Sequence, residues 1–317
     1  MIPENNLMRQ VLLILTISFS TNLFAQKIDT VYTEKNGVLE TLYLTLIPEQ
    51  PSKGLLVVLG GFTFPTETLT ETNLPIKACA AGYTVLLPFL YRADSVDKHN
   101  IFQTRLELLI PEVIKKYNIP KDKFIIGGQS WAGHQAMIYA ERAYNPNYKS
   151  IIKPNAVFGV DPPLDLKRLY NGYIRGMAID TSKKKSAEAI MITTLFKNQF
   201  GGSPLQKPKA YEMASSFYRD AKDGGNAKYL TSIPVRLYSD PDINWFITQR
   251  NGPVEWMNLA DITACIVQLR LLGNKKAEYI SCLGKGFLPN GERHPHSFSM
   301  LNADEFIIWA DKVLDVK

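Results

Sequence analysis

Six short runs of almost unbroken apolar residues punctuate the chain: GLLVVLGG (54–61), YTVLLPFL (83–90), KFIIGGQ (123–129), NAVFGVD (155–161), IPVRLYS (233–239) and AEYISCL (277–283). A strand with one wet face alternates apolar and polar residues, so a continuous run needs cover on both faces. Helical patterns lie between the runs, among them IFQTRLELLIPEVIKKYN (101–118), which Pro111 should kink, and WAGHQAMIYAERA (131–143). PVEWMNLADITACIVQLRLLG (253–273) carries Pro253 near its start and Gly273 at its end, and NADEFIIWADKVL (302–314) closes the chain. Ahead of them, TVYTEKNG and LETLYLTLI predict a hairpin turned at Asn36-Gly37. Short apolar strands alternating with helices predict an α/β fold, a mostly parallel sheet flanked by helices.

One segment breaks this rhythm. From Pro162 to about Lys228 there is no buried strand, only the helical stretches LDLKRLYNGYIRGM, SAEAIMITTLFKNQF and PKAYEMASSFY between joints rich in Gly, Pro and Lys. Residues 162–228 are therefore expected to form a helical insertion above the strand ends, the position of a lid. Its aromatics Tyr170, Tyr173, Phe196, Phe200, Tyr211 and Phe217 are available either to wall a pocket or to pack the insertion onto the core.

Residues 10–25, QVLLILTISFSTNLFA, form an apolar stretch behind the positive charge of Arg9. That layout predicts a signal peptide over 1–25, cleaved between Ala25 and Gln26, and a periplasmic or secreted mature chain, 26–317, with no stable membrane span. The stretch is short for a span. The formal net charge of +6 survives this cleavage, because Glu4 and Arg9 leave together. Its densest cluster is KKK at 183–185, a solvated helix face with no aromatic interleaving, so nucleic acid is not an expected partner. The three cysteines, Cys79, Cys265 and Cys282, cannot all pair and form no CxxC; they read as buried free thiols, with a Cys265–Cys282 bridge as the alternative. No zinc-ligand spacing is present, and neither a metal nor a cofactor is called for.

The chemistry concentrates at KFIIGGQSWAG. Here a buried strand ends in glycines, a lone serine follows, and a helix begins. A strained strand–Ser–helix turn has the fingerprint G-x-S-x-G, in which small residues let neighbouring chains approach. This chain reads G-Q-S-W-A, with Ala132 at the last position and Gly133 just beyond it. Ser130 is thus the expected nucleophile.

A serine hydroxyl needs a base to take its proton, and the base needs a third group to orient it. There are four histidines. His134 lies within the helix that follows Ser130, and His99 sits in a polar loop. His294 and His296, in GERHPHSFS, hang from the loop after the last strand, where a base can reach over the strand ends. His296 is preferred as it leads into the final helix. For the acid, the loop after VRLYS offers Asp240 and Asp242, and Asp161 ends NAVFGVD. Asp242, further into its loop and free to turn back towards a histidine, is preferred. Backbone N–H groups of Trp131, just after the nucleophile, and of Phe62, in the glycine loop GGFTFP, are expected to hold a developing oxyanion.

With these residues in place the chain resembles the α/β-hydrolase family over about residues 30–315. Ser130, Asp242 and His296 follow the family's order of serine, acid and histidine. FGGSPLQKPKAYEMASSFY resembles the lead-in to the acid strand in the esterase, dienelactone-hydrolase and prolyl-oligopeptidase-like branches. The pair GGF stands where hormone-sensitive-lipase-like esterases carry HGGG, and Ala132 departs from the commonest elbow. The resemblance implies the α/β-hydrolase fold and an exported serine hydrolase, a carboxylic-ester hydrolase first, acting on a small-molecule, glycan or lipid ester. The alternatives are a prolyl-oligopeptidase-like peptidase and a non-catalytic binding module on the same fold. That peptidase type carries a further large β domain, which the residues before 54 are too few to supply.

Overall fold

The computed structural model describes residues 27–35, 38–60, 64–89, 100–179 and 187–316. Strands β1 (Lys27–Lys35), β2 (Val38–Ile47), β3 (Leu55–Leu59), β4 (Thr84–Phe89), β5 (Phe124–Gln129), β6 (Ala156–Val160), β7 (Val235–Ser239) and β8 (Ala277–Ser281) form one sheet in the order β1-β2-β4-β3-β5-β6-β7-β8. β1 pairs antiparallel with β2, and β2 antiparallel with β4; every pairing from β4 to β8 is parallel. The Asn36-Gly37 turn itself lies outside the described residues, but the strands on either side pair as a hairpin. The expected leader at 1–25 also lies outside them. Among the described residues no helix is long and apolar enough to cross a membrane.

The continuous apolar runs are explained by cover on both sides. On β3, Leu55, Val57 and Leu59 join one core cluster, while Leu56 and Val58 join the other. The first cluster packs against helices α3 (Asn100–Lys116), α4 (Trp131–Tyr144) and α9 (Leu259–Leu271). The second packs against α2 (Leu74–Ala80), which follows the short α1 (Pro65–Glu71), and against α10 (Ala303–Leu314). The three cysteines are free and buried.

α3 runs through Pro111 without a break, and one helix start differs from the sequence reading. The expected helix over 253–273 begins with a 3₁₀ turn at Val254–Trp256, and α9 proper starts only at Leu259, with Gly273 (φ 97°) just past its end. An unforeseen helix, α8 (Ile243–Arg250), precedes it. α8 buries none of its residues and is only eight residues long, shorter than the window in which helical periodicity shows.

The insertion between β6 and β7 is helical: α5 (Leu166–Ile179), α6 (Ala187–Phe200), α7 (Pro208–Ala214) and a 3₁₀ turn at Gly225–Leu230. Tyr170, Phe196 and Tyr211 make a third apolar cluster of their own, with Trp131 and Phe200 against it. Phe200 and Tyr211 meet edge to face at 4.5 Å. Phe217 turns into the main core instead. Most of the aromatics named from sequence thus hold the insertion together and seat it.

Glu141 in α4 is a liability in this core. Its carboxyl is buried with no hydrogen-bond partner among the described residues, and burial raises its pKa well above the ordinary value. Such a group favours the folded state only while protonated in both states, and that contribution is lost as pH rises towards the folded pKa. Glu141→Gln should therefore match the wild type near pH 4, below the ordinary carboxylate value at which the unfolded chain ionises, and exceed it in stability by about 1–3 kcal/mol near pH 8. Urea unfolding at the two pH values checks this; equal differences at both would contradict it.

Candidate active site

The parallel strands β3, β5, β6, β7 and β8 run in the same direction, and their C-terminal tips carry the residues singled out above. β5 lies between β3 and β6. At its tip Ser130 has φ 56° and ψ −128°, a left-handed conformation that a β-substituted residue avoids unless its surroundings impose it. The surroundings are visible. The Ser130 N–H donates to the Val160 carbonyl on β6 (2.9 Å), and its own carbonyl accepts from His134 N–H as α4 begins (3.2 Å). Close approach is required at Gly127, Gly128 and Gly133, a Cβ on Gly127 meeting the Phe158 ring at 2.1 Å. A Cβ on Gly128 would meet the Leu59 carbonyl oxygen at 2.6 Å, and one on Gly133 the Gly128 carbonyl oxygen at 2.7 Å. Ala132, the residue that departs from the fingerprint, is fully buried.

His296 reaches this serine from the loop after β8. Its Nε2 lies 2.8 Å from Ser130 Oγ, and its Nδ1 lies 2.6 Å from Asp161 Oδ2. A carboxylate can only accept, so Nδ1 carries the proton and Nε2 is left to receive the serine O–H. The His296 backbone carbonyl accepts from Gln129 Nε2 at 2.9 Å, which ties His296 to the residue just before Ser130.

The carboxylate that meets His296 is that of Asp161, not that of Asp242. β5 and β6 are neighbours in register, Gln129 opposite Val160, so Ser130 and Asp161 are the next residue along on adjacent strand tips. β7 is one strand further away. Asp242 is engaged elsewhere: its Oδ1 caps α8 by accepting from Trp245 N–H (3.0 Å), and its Oδ2 meets Arg293 Nη2 at 3.0 Å. Asp240 is buried, accepts the backbone N–H groups of Gly284, Lys285 and Gly286, and pairs with Arg293 at 2.7 Å. Both aspartates brace the loop that carries the base. Asp161 takes φ 47°. Its N–H donates to the Tyr238 carbonyl (2.8 Å) and its carbonyl accepts from Asn258 Nδ2 (2.9 Å).

The remaining histidines separate cleanly. His294 does not touch Ser130; its Nε2 accepts from Arg250 Nη2 at 3.0 Å, and its ring centroid stands 6.4 Å from that of His296. His134 is buried, with Nδ1 3.0 Å from Ser216 Oγ. His99 lies outside the described residues, as does Phe62 in the glycine loop. Trp131, the other expected oxyanion donor, opens α4 directly after Ser130, and its ring stacks on His134 and leans on Phe196 of the insertion. Gln129 was legible only as the unspecified x of the elbow pattern, and nothing in the sequence marked Asn258.

Burial alone would push the His296 imidazole down. The hydrogen bond and charge of Asp161, helped by the charge of Glu188 on α6, outweigh it, and the pKa stands above the ordinary value. His294 moves the other way: burial, then the charges of His296 and Arg250, hold it below that value. No group of acidic, histidine or cysteine side chains suited to a metal ion occurs among the described residues.

No known family's sequence profile matches the chain, and no curated protein matches it in sequence. Solved structures do match. A fungal esterase from Rhizomucor miehei superposes with a TM-score of 0.59 at 14% identity, covering 91% of this chain and 84% of the esterase. Carboxyl esterase 2 from Tuber melanosporum gives 0.57 at 14% identity, covering 92% and 87%. The acylaminoacyl peptidase of Pyrococcus horikoshii gives 0.59 at 12% identity over 92% of this chain but only 42% of the peptidase. With the eight-stranded, mostly parallel sheet, these likenesses show that the chain has the α/β-hydrolase fold.

The two imidazoles make a ligand-free prediction. In an NMR titration His296 should take up its proton above about pH 6.5 and His294 below it. Asp161→Asn should bring the His296 midpoint down, whereas Asp242→Asn should leave it in place. A His296 midpoint indifferent to Asp161→Asn would contradict the geometry.

Proposed function

We propose that the chain is an exported serine hydrolase that cleaves carboxylic esters through an acyl-enzyme, with Ser130 as nucleophile, His296 as base and Asp161 as orienting acid. The observation that carries this reading is the unbroken contact path Ser130 Oγ–His296 Nε2 and His296 Nδ1–Asp161 Oδ2, at 2.8 and 2.6 Å. In the acylation step His296 Nε2 takes the hydroxyl proton while Oγ bonds to the acyl carbon. The oxyanion formed is held by the Trp131 N–H and, as expected from sequence, by the Phe62 N–H. The bond to the alkoxy group then breaks, and the leaving alcohol departs with the proton from Nε2. Water repeats the sequence on the acyl-enzyme, its proton passing to His296 and then back to Ser130 Oγ as the acid is released. Asp161 remains ionised throughout and stabilises the imidazolium.

The raised His296 pKa adds a sign. Only the neutral ring can accept the serine proton, so kcat/KM should rise with pH along a limb centred above about 6.5. Esters are put ahead of peptides because the solved structures that share this fold over most of their own length, 84% and 87%, are esterases. Export rests on the apolar stretch ending at Ala25 and predicts a mature N-terminus at Gln26 in protein from the native host. It places the ester, whether a small molecule or an acyl group on a glycan or lipid, outside the cytoplasm. Residues 162–228 are proposed to act as the lid that shapes its pocket.

Mutant kinetics on a short-chain aryl ester test the assignment. Ser130→Ala and His296→Ala should each lose roughly 10⁴-fold or more in kcat, and combining them should cost little beyond either alone. Asp161→Asn should lose on the order of 10³–10⁴-fold, and Asp242→Asn less than about 10-fold for a group in contact with neither reactant. Full turnover by Ser130→Ala would end the hydrolase reading. The reverse order for the two aspartates would end only the assignment of the acid.

A further inference from the structure

Asp161 sits at φ 47° and is held from outside the triad. Its carbonyl accepts from Asn258 Nδ2, and the Oδ1 of that same amide accepts from Arg168 Nη2 at 3.0 Å. An arginine can only donate, so the Asn258 amide cannot flip: its oxygen faces Arg168 and its NH₂ faces Asp161. Arg168 is fixed in turn. Its Nε lies 2.9 Å from both carboxylate oxygens of Asp261, Nη2 also reaches that carboxylate, and Nη1 donates to the Glu255 carbonyl at 3.2 Å. The Asp261 side chain has no exposure at all and also accepts the Asp165 N–H. Arg168 comes from α5 of the insertion, Asp261 from the first turn of α9, and Asn258 from just before it.

A buried arginine–carboxylate pair is a poor way to gain stability, since desolvation consumes most of the attraction. What it does supply is fixed geometry. Here the fixed element ends on the one backbone carbonyl whose residue orients the base, and it couples the seating of the insertion to the strand tip.

Resting on the triad proposed above, we infer that Asn258 and Arg168 are positioning residues, a clamp that holds Asp161 in its left-handed conformation and aims its carboxylate at His296. Neither touches substrate. Without the clamp Asp161 relaxes towards ordinary backbone geometry, the bond to Nδ1 lengthens, and the imidazole loses the partner that offsets its burial. The other charges that reach His296, Glu188 on α6, Arg250 on α8 and His294 in its own loop, are untouched by Asn258→Ala; Arg168 also acts on Asp161 by its charge, so the uncharged change at Asn258 is the arm that isolates the clamp.

The test uses the full chain with Asn258→Ala, and with the paired change Arg168→Met and Asp261→Leu, which removes both buried charges together so that neither is left alone. Two readouts are taken. The first, free of any substrate, is the NMR titration of His296, whose midpoint should fall in both variants. The second is ester hydrolysis: kcat should drop about 10- to 100-fold, the scale of a small misplacement of a reacting group, with KM within about 2-fold. The acidic limb of kcat/KM should move down with the His296 midpoint.

A merely structural role would lower the melting temperature and leave the His296 midpoint and kcat where they were; that result overturns the clamp. A fall in kcat with an unmoved midpoint overturns it as well. If Asn258→Ala does not fold, the paired variant decides by the same readouts. If the wild type shows no Ser130-dependent turnover, the hydrolase reading fails, while the titration still answers for the clamp.

Discussion

A carboxylate 2.6 Å from one nitrogen of an imidazole decides what the other nitrogen can do. Asp161 keeps the proton on Nδ1 of His296, so Nε2 meets Ser130 as an acceptor rather than a donor. The rest of the molecule can be read as support for that contact. Parallel β5 and β6, side by side and in register, put Ser130 and Asp161 on neighbouring tips. Gln129 holds the backbone of His296, Arg293 braces its loop through Asp240 and Asp242, and Asn258 holds the backbone of Asp161.

This support has a cost. Ser130 and Asp161 both sit at positive φ, each a conformation unfavourable by about 1–3 kcal/mol for a residue with a Cβ. The offset comes from the layers on either side of the sheet, where every residue of β3 and β6 is buried. A rigid, two-sided core over-determines the strand tips, and the strained residues cannot relax without disturbing it.

The sheet was legible in the chain because strands buried on both faces leave nearly continuous apolar runs, and all six runs became strands. The helical insertion was legible for the opposite reason, a long stretch without such a run. Ser130 stood out through its glycines and His296 through its place after the last strand. The acid did not. Asp161, Asp240 and Asp242 each end or follow a strand, and their sequence contexts are equally compatible with orienting a histidine. What separates them is strand order, β6 beside β5, together with the capping and ion-pair bonds that engage the other two. Those are long-range facts: Asp161 lies 135 residues from His296. Asn258 and Arg168 were invisible for the same reason, and α8 because it is only eight residues long.

The account stands on Ser130 being activated by its neighbours, and covalent trapping measures that without knowledge of the substrate. A fluorophosphonate bonds to an activated serine oxygen with loss of fluoride, and peptide mapping locates the adduct. The account predicts one adduct per chain, on Ser130, with the reaction slowed severely in Asp161→Asn. An unlabelled wild-type chain, or an adduct on another residue, would contradict it.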